Sequence, residues 1–260
     1  MFLISYKLKH GKMKSLTNVF LVFVFAFWMI SCSEGDLNEG PAQVAVKLQG
    51  TTQSQGNARI NGQMEIKEAM FGVTKIELER EFDDESGSNG DESDASDGDN
   101  SSDDDFEIEV KGNFKVDLLN GTSNPDIPVI SVDPGVFTEV KVDLSPILEG
   151  GYSVILKADY VDDNGVVHPL ELMLDQMFEI KVGNHNGFAV DTEKLNQVLL
   201  LFNLESWFTD INLSNLMDED GVIRIDIETD DATMTKVKIN IDDNCKSGSD
   251  DDDDGEIDDD

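Results

Sequence analysis

The sequence is poor in cysteine, histidine and basic residues, and these shortages limit what it can bind. It has two Cys, three His and 19 Lys or Arg against 55 Asp or Glu, which gives a formal net charge of −36. A polyanion repels phosphate groups, so we expect no nucleic-acid partner. Only His168 and His185 follow the N-terminal apolar run, and a zinc site needs further nitrogen or sulfur ligands or suitably spaced carboxylates.

Sequence motifs of catalysis are also missing. The chain contains no Gly-x-Ser-x-Gly nucleophile elbow, no phosphate-binding loop and no dinucleotide fingerprint. We therefore predict a protein that is not an enzyme. A hydrolase built around His185 remains an alternative, because a Ser–His–Asp group assembles in space rather than in sequence. His168 precedes Pro169 and is predicted to lie in a loop or at a strand end.

One long apolar run occurs, at residues 19–30, and it follows four lysines near the N-terminus. Twelve residues at about 1.5 Å each are too short for a helix that crosses about 30 Å of hydrocarbon. We therefore expect residues 1–31 to be an export signal rather than a membrane span. No second run of about 18 apolar residues exists, so we expect no transmembrane helix.

The end of this signal resembles a bacterial lipobox. Residues 29–32 read Met-Ile-Ser-Cys, with Met29 where Leu is usual and a small residue directly before the cysteine. We predict that Cys32 becomes the lipidated N-terminus, the alternative being an ordinary secretory signal with a chance cysteine. Translation from Met13 would give a signal of conventional length. Lipidation of Cys32 leaves Cys245 without a partner in the chain, so we expect no disulfide.

Residues 32–41 are polar and acidic, which predicts a flexible tether. They resemble the acidic segment after the lipidated cysteine in surface-exported lipoproteins of the Bacteroidetes. This resemblance implies an outer-membrane lipoprotein exposed at the cell surface, or otherwise one on the periplasmic face. The expected contacts are the membrane, through the lipid, and an envelope protein or a glycan.

Two segments carry more than half of the net charge. Residues 83–105 hold eleven acids and no base, and residues 242–260 hold eleven acids and Lys246. Neither segment can bury much apolar surface, so we predict that both are disordered. The first reads as a long hairpin loop, which the fold tolerates because closure entropy grows slowly with loop length.

Residues 42–241 alternate apolar and polar side chains in short runs separated by turn residues. This pattern predicts an all-β domain, an antiparallel sandwich or barrel. Asn164-Gly165 and Gly112-Asn113 are predicted hairpin turns, and Pro169 indicates an edge strand or a strand start. Residues 192–208 fit either a helix or a buried strand, and we favour the strand. Residues 223–227 and 237–241 also alternate and are predicted strands.

Three segments resemble a family of uncharacterised bacterial lipoproteins. They are residues 113–121 (NFKVDLLNG), residues 133–142 (DPGVFTEVKV) and residues 202–208 (FNLESWF). Phe137 stands where this family usually has an aromatic residue. The resemblance covers roughly residues 42–241 and implies a transthyretin-like or immunoglobulin-like sandwich. The family has a domain of unknown function, so it supplies no catalytic residues.

The C-terminus contains the first part of a calcium-loop pattern. Asp250, Asp252 and Asp254 would occupy positions 1, 3 and 5, and Gly255 the sharp turn at position 6. The twelfth position, which normally gives a bidentate Glu, falls one residue past Asp260. A weak calcium site is one interpretation and a solvated acidic tail is the other. Its candidate ligands are Asp250, Asp252, Asp254, Glu256 and Asp258.

Trp207 and Phe208 form the last candidate site. An adjacent aromatic pair can form an exposed platform for a glycan, but more often it closes a hydrophobic core.

Three functional hypotheses follow from the sequence. The first is a lipid-anchored, non-catalytic binding or structural module of the envelope, the second a calcium-binding surface protein, and the third the hydrolase.

Overall fold

The computed structural model describes residues 40–52, 63–80, 106–250, 252 and 254–258. No helix among these residues is long and apolar enough to cross a membrane. Two short 3-10 helices, Glu205–Phe208 and Leu213–Leu216, accompany the main elements. In chain order these elements are β1 (Ala42–Thr51), β2 (Gln63–Arg80), β3 (Phe106–Asp117), β4 (Thr122–Asn124), β5 (Ile130–Val132), β6 (Gly135–Leu144), β7 (Val154–Val161), β8 (Val167–Leu174), β9 (Phe178–Val190), β10 (Leu195–Asn203), β11 (Ile223–Ile225), α1 (Asp231–Asp243) and β12 (Cys245–Ser249).

The strands form two mixed sheets. Sheet A has the order β12-β10-β1-β5, and sheet B has the order β11-β8-β7-β2-β3-β4, with β6 paired to β2 and to β9. The prediction of a β-rich fold is confirmed. The expectation of purely antiparallel pairing is wrong, because β1 runs parallel to β10 and β8 runs parallel to β11. Each parallel pair is joined by a long stretch of chain, as parallel pairing requires.

Strand β2 organises sheet B because it is long enough to pair with three strands. Its first half pairs with β7 on one edge, and its second half pairs with β6 on that edge and with β3 on the other. β2 and β3 are antiparallel neighbours joined by residues 81–105, so the acidic insertion (residues 83–105) does connect two hairpin strands, as predicted. The insertion itself lies outside the described residues.

Both sheets bury an apolar face in one hydrophobic core. In β1 the even-numbered residues from Ala42 to Leu48 are buried and their neighbours are more exposed, the alternation expected of a strand with one buried face. Phe71 of sheet B meets Phe202 of sheet A edge to face, with ring centroids 5.0 Å apart. Trp207 stacks on Phe71 at 5.6 Å. The first contact joins the two sheets, and the second joins the first 3-10 helix to sheet B.

One predicted strand is a helix. Residues 237–241 were expected to extend, but they lie in α1. The Asp230 side chain accepts hydrogen bonds from the N–H groups of Ala232 and Thr233, which caps the helix. Met234, Val237 and Ile241 are buried at helical spacing, whereas Ile239 is 47% exposed. Asp230 at the N-cap position is a sequence signal for a helix, but the alternating apolar residues favoured a strand.

The prediction that residues 242–260 form a disordered tail is wrong for residues 242–249. Asp242 and Asp243 end α1, and Cys245–Ser249 forms β12. β12 pairs antiparallel with β10 from Phe202↔Cys245 to Val198↔Ser249. The cause is tertiary, because buried β10 needs a backbone partner on each edge and composition alone does not show that need.

The remaining turn and strand predictions have mixed outcomes. The segment at residues 192–208 contains strand β10, as favoured. Asn164-Gly165 lies in the β7–β8 hairpin, and Gly165 has φ of +80°. Gly112-Asn113 is not a turn, because β3 continues through it opposite a register shift between Val73 and Lys75. The extra residue is absorbed as a bulge.

Candidate functional site

The residues of the calcium-loop pattern follow β12 and lie against sheet A. We call residues 250–258 the C-terminal loop. The Asp250 N–H donates to the Gln197 carbonyl at 3.1 Å, which continues the β10–β12 ladder by one residue. The Asp258 N–H returns to donate to the Ser249 carbonyl at 2.9 Å. Both ends of the loop are therefore fixed to the sheet by backbone hydrogen bonds.

Asp250 is the buried member of this loop, with 1% of its surface exposed. The Gln197 side-chain amide donates to Asp250 Oδ2 at 3.0 Å. The Asp254 N–H donates to Oδ1 at 3.1 Å. Lys47 Nζ lies 3.9 Å from Oδ2, at the limit of an ion pair. Burial of a carboxylate is unfavourable unless charge and hydrogen bonds compensate it, so these contacts are needed to hold Asp250 inside.

Backbone groups within the loop turn the next acids toward Asp250. The Asp254 N–H also approaches Asp252 Oδ1 at 3.3 Å, and the Glu256 N–H donates to Asp254 Oδ1 at 2.8 Å. Gly255 has φ of +82°, a left-handed conformation that side chains disfavour. As a result, one carboxylate oxygen from each of Asp250, Asp252 and Asp254 lies within 4.8 Å of the others.

Ile257 anchors the loop from the other end. A Cβ at Gly248 would lie 2.3 Å from Ile257 Cγ2, so only glycine lets the loop approach β12 this closely. Leu199, which pairs in register with Gly248, is fully buried. The predicted ligands Glu256 and Asp258 do not belong to the convergent carboxylate group within the described residues. The structure therefore brings together three of the five predicted ligands.

A cleft of about 900 Å³ lies beside the C-terminal loop. One wall is the loop itself, and the others come from residues of β1, β9, β10 and β12. Its lining is mainly polar, with amides, two hydroxyls and both signs of charge, and Leu201 and Ile257 supply apolar surface. The polar side chains that line it are those of Gln49, Thr51, Asn184, Lys246, Ser247, Asp254 and Glu256.

Sheet B carries a second group of three acids, which the sequence analysis missed. Carboxylate oxygens of Glu77, Glu79 and Glu107 lie within 4.8 Å of one another. Glu77 is only 4% exposed. Lys75 Nζ lies 2.6 Å and Lys141 Nζ 3.5 Å from Glu77. No motif marks this group, because the register of β2 with β3 and β6 brings it together.

The pKa values of this second group show how its charge is balanced. Burial raises the pKa of Glu77, but the hydrogen bond from Lys75 and other polar contacts outweigh burial and lower the pKa to about 2. Burial raises the pKa of Glu79, although Lys141 opposes this shift. The hydrogen bond with Glu77 raises the pKa of Glu107. The cluster therefore keeps Glu77 ionised and makes its neighbours easier to protonate.

The other predicted site residues lie elsewhere. Cys32 lies outside the described residues, as does the side chain of His185. His168 Nε2 is 3.4 Å from Asp162 Oδ2 at the β7–β8 hairpin, which fits the predicted strand-end position. Trp207 and Phe208 are 0% and 2% exposed, so they belong to the core and form no surface platform. Burial raises the pKa of the Cys245 thiol.

Comparisons with protein-family models, curated proteins and solved structures gave no match. What the structure defines is therefore a β-rich protein with two mixed sheets and one α-helix in its described part. The resemblance to a lipoprotein family stays a prediction.

Proposed function

We propose that this chain is a lipid-anchored protein of the cell envelope whose β-rich domain is a non-catalytic binding or structural module. The observation that carries the proposal is the order of basic residues, apolar run and Cys32 at the N-terminus. The two sheets and their shared core are consistent with a sandwich of the transthyretin or immunoglobulin type. Such a domain would stand outside the cytoplasm, at the cell surface or the periplasmic face of the outer membrane.

Substitution of the anchor cysteine tests this proposal. The Cys32→Ser protein should move from the membrane fraction to the soluble fraction, and the wild type should carry an acyl mass. Cys245→Ser is the matched control and should stay with the membranes. Co-sedimentation of Cys32→Ser with membranes, together with a wild type that lacks acyl mass, would contradict the anchor.

A second candidate function is calcium binding at the C-terminal loop. The observation that favours it is the convergence of the Asp250, Asp252 and Asp254 carboxylates. Calcium prefers six to eight hard oxygen ligands, and carboxylates and backbone carbonyls supply them. The three carboxylates would be joined by further oxygens of the loop and by water. Because the described loop has few ligands, we expect an affinity in the range of about 10⁻⁴–10⁻³ M, which suits a site outside the cell.

Titration calorimetry with calcium tests this second function. The Cys32→Ser protein should bind one ion, and the same protein truncated after Ser249 should not. This truncation retains β12 and so preserves the sheet that carries the loop. Equal calcium binding by both proteins would exclude the C-terminal loop as the site.

A further inference from the structure

Among the residues that the structure describes, the outer edge of β3 has a strand partner over only part of its length. β3 pairs with β2 along one edge from Phe106 to Asp117. On the other edge β4 covers only Lys115 to Asp117. Within the described residues, no strand pairs with residues 106–113 on that side, which we call the β3 edge. Alternate residues of such an edge present N–H and C=O groups that can accept another strand.

Several other edges of the two sheets are short or are contacted by neighbouring elements. The Lys181 N–H on β9 donates to Asp242 Oδ1 of α1 at 2.8 Å. The Asn184 side chain of β9 donates to the Ser247 carbonyl of β12 at 3.2 Å. β4, β5 and β11 have three residues each. Natural sheets protect their edges in these ways, whereas no described strand pairs with the β3 edge.

The charge around the β3 edge is negative. Glu107 and Glu109 are exposed on the outer face of the strand, and Lys111 is ion-paired with Glu109. Glu79 and Glu77 stand next to them in register on β2, where Lys75 and Lys141 balance the charge of these two acids. The acidic insertion, with eleven acids and no base, directly precedes β3 in the sequence. Charge complementarity therefore favours a basic partner, and it disfavours a second copy of a chain with a net charge of −36.

We propose that the β3 edge binds an extended basic peptide segment of a partner protein, which adds to sheet B as a new strand. Backbone hydrogen bonds provide attachment in this mode of recognition, and alternate side chains provide selectivity. On the outer face, basic side chains of the peptide lie beside Glu107 and Glu109. On the inner face, apolar side chains lie beside half-buried Ile108 and buried Val110. The preferred segment thus alternates basic and β-branched residues.

This inference names a partner for the proposed binding module and rests on that role. It is independent of the C-terminal loop and of the lipid anchor. A failure of the peptide test leaves the membrane fractionation result unchanged, so the two failures are distinguishable.

The test uses the Cys32→Ser protein and a capped peptide that alternates lysine and valine over seven residues. Backbone amide NMR signals of residues 106–113 should shift on titration, and their hydrogen exchange should slow. A peptide of the same sequence with N-methyl groups on alternate residues keeps its charge but cannot form the ladder, so it should lose at least about 10-fold in affinity.

The Glu109→Gln variant should bind the first peptide about 3-fold more weakly, as expected for loss of one exposed ion pair. Glu179→Gln, on the same sheet at β9, is the matched control and should bind as the parent does.

Several results would overturn the proposal. Equal affinity for the N-methylated peptide would mean that charge alone attracts it. NMR shifts at other residues but not at residues 106–113, or the absence of binding, would exclude the β3 edge as the binding site. Equal weakening by Glu109→Gln and Glu179→Gln would indicate diffuse attraction. Concentration-dependent shifts of residues 106–113 without peptide would point to a second copy of the chain as the occupant.

Discussion

Two groups of three carboxylates differ in where their positive charge comes from. On sheet B, Glu77 lies within 3.5 Å of Lys75 and Lys141, and burial fixes these side chains together. Beside sheet A, Asp250 is buried equally well, but in the described part of the chain its ammonium contact is Lys47 at 3.9 Å. Asp252 and Asp254 add two further negative charges to the second group. A buried acid that the protein neutralises supports the fold, whereas one that is neutralised only in part is suited to an ion from solution.

The largest expected effect concerns the scaffold of the C-terminal loop. Truncation after Ile241 removes β12 and leaves one edge of β10 unpaired, so we expect the melting temperature to fall by more than about 10 °C or the protein not to fold. Truncation after Ser249 keeps β12 and should lower it by only about 2–8 °C, since about 1–2 kcal/mol of contacts is lost. Thermal unfolding followed by circular dichroism compares the two. Equal melting temperatures would show that β12 adds nothing to the fold.

Removal of the Glu77 charge should have the next largest effect. Glu77→Gln leaves Lys75 and Lys141 without their shared partner, and the loss of a buried ion pair costs about 3 kcal/mol. For a domain of this size we expect a fall of about 6–12 °C at neutral pH. Asp250→Asn, measured without calcium, is the control. Its melting temperature should fall less, because this substitution also relieves repulsion among the three aspartates. A larger fall in melting temperature for Asp250→Asn than for Glu77→Gln would contradict the view that the sheet B group supports the fold more than the C-terminal loop does.

The pH dependence of stability should identify Glu77 separately. Its folded-state pKa of about 2 lies below the ordinary value of 4.5. A lowered pKa gives stability that is present above the unfolded value and is lost as the pH falls through the folded value. We therefore expect the free energy of unfolding to fall between about pH 4.5 and pH 2, and to fall less in Glu77→Gln. Denaturant titrations at several pH values measure this difference, and identical pH profiles would contradict it.

The two groups also differ in how far the sequence reveals them. The Asp-x-Asp-x-Asp-Gly spacing of the C-terminal loop is visible in the chain, because all its carboxylates come from one turn. Glu77 and Glu107 come from strands that are separated by the acidic insertion, and their contact depends on strand register. Local spacing therefore predicted the first group, and only the sheet could show the second.

The same contrast between local and tertiary causes explains the fold predictions. The alternating run of β1 revealed a strand because one face of it is buried. β10 is buried at three consecutive residues, so its sequence fitted either a helix or a buried strand, of which the strand was favoured. α1 was missed because Val237, Ile239 and Ile241 fit a strand as well as a helix, and the cap at Asp230 decides between them. β12 was missed because its sequence, Cys-Lys-Ser-Gly-Ser, has little apolar character, and its pairing with β10 is what makes it a strand.

The most direct test of the comparison is the effect of calcium on thermal unfolding. With 10 mM calcium and an affinity of about 10⁻⁴–10⁻³ M, ligand binding adds about 1.4–2.7 kcal/mol, which raises the melting temperature by about 3–10 °C. The Cys32→Ser protein and its Glu107→Gln variant should both show this rise, because the sheet B group is neutralised by lysines. The Asp252→Asn variant should show none. An equal rise in Asp252→Asn, or a rise that is lost in Glu107→Gln, would contradict the assignment of the ion to the C-terminal loop.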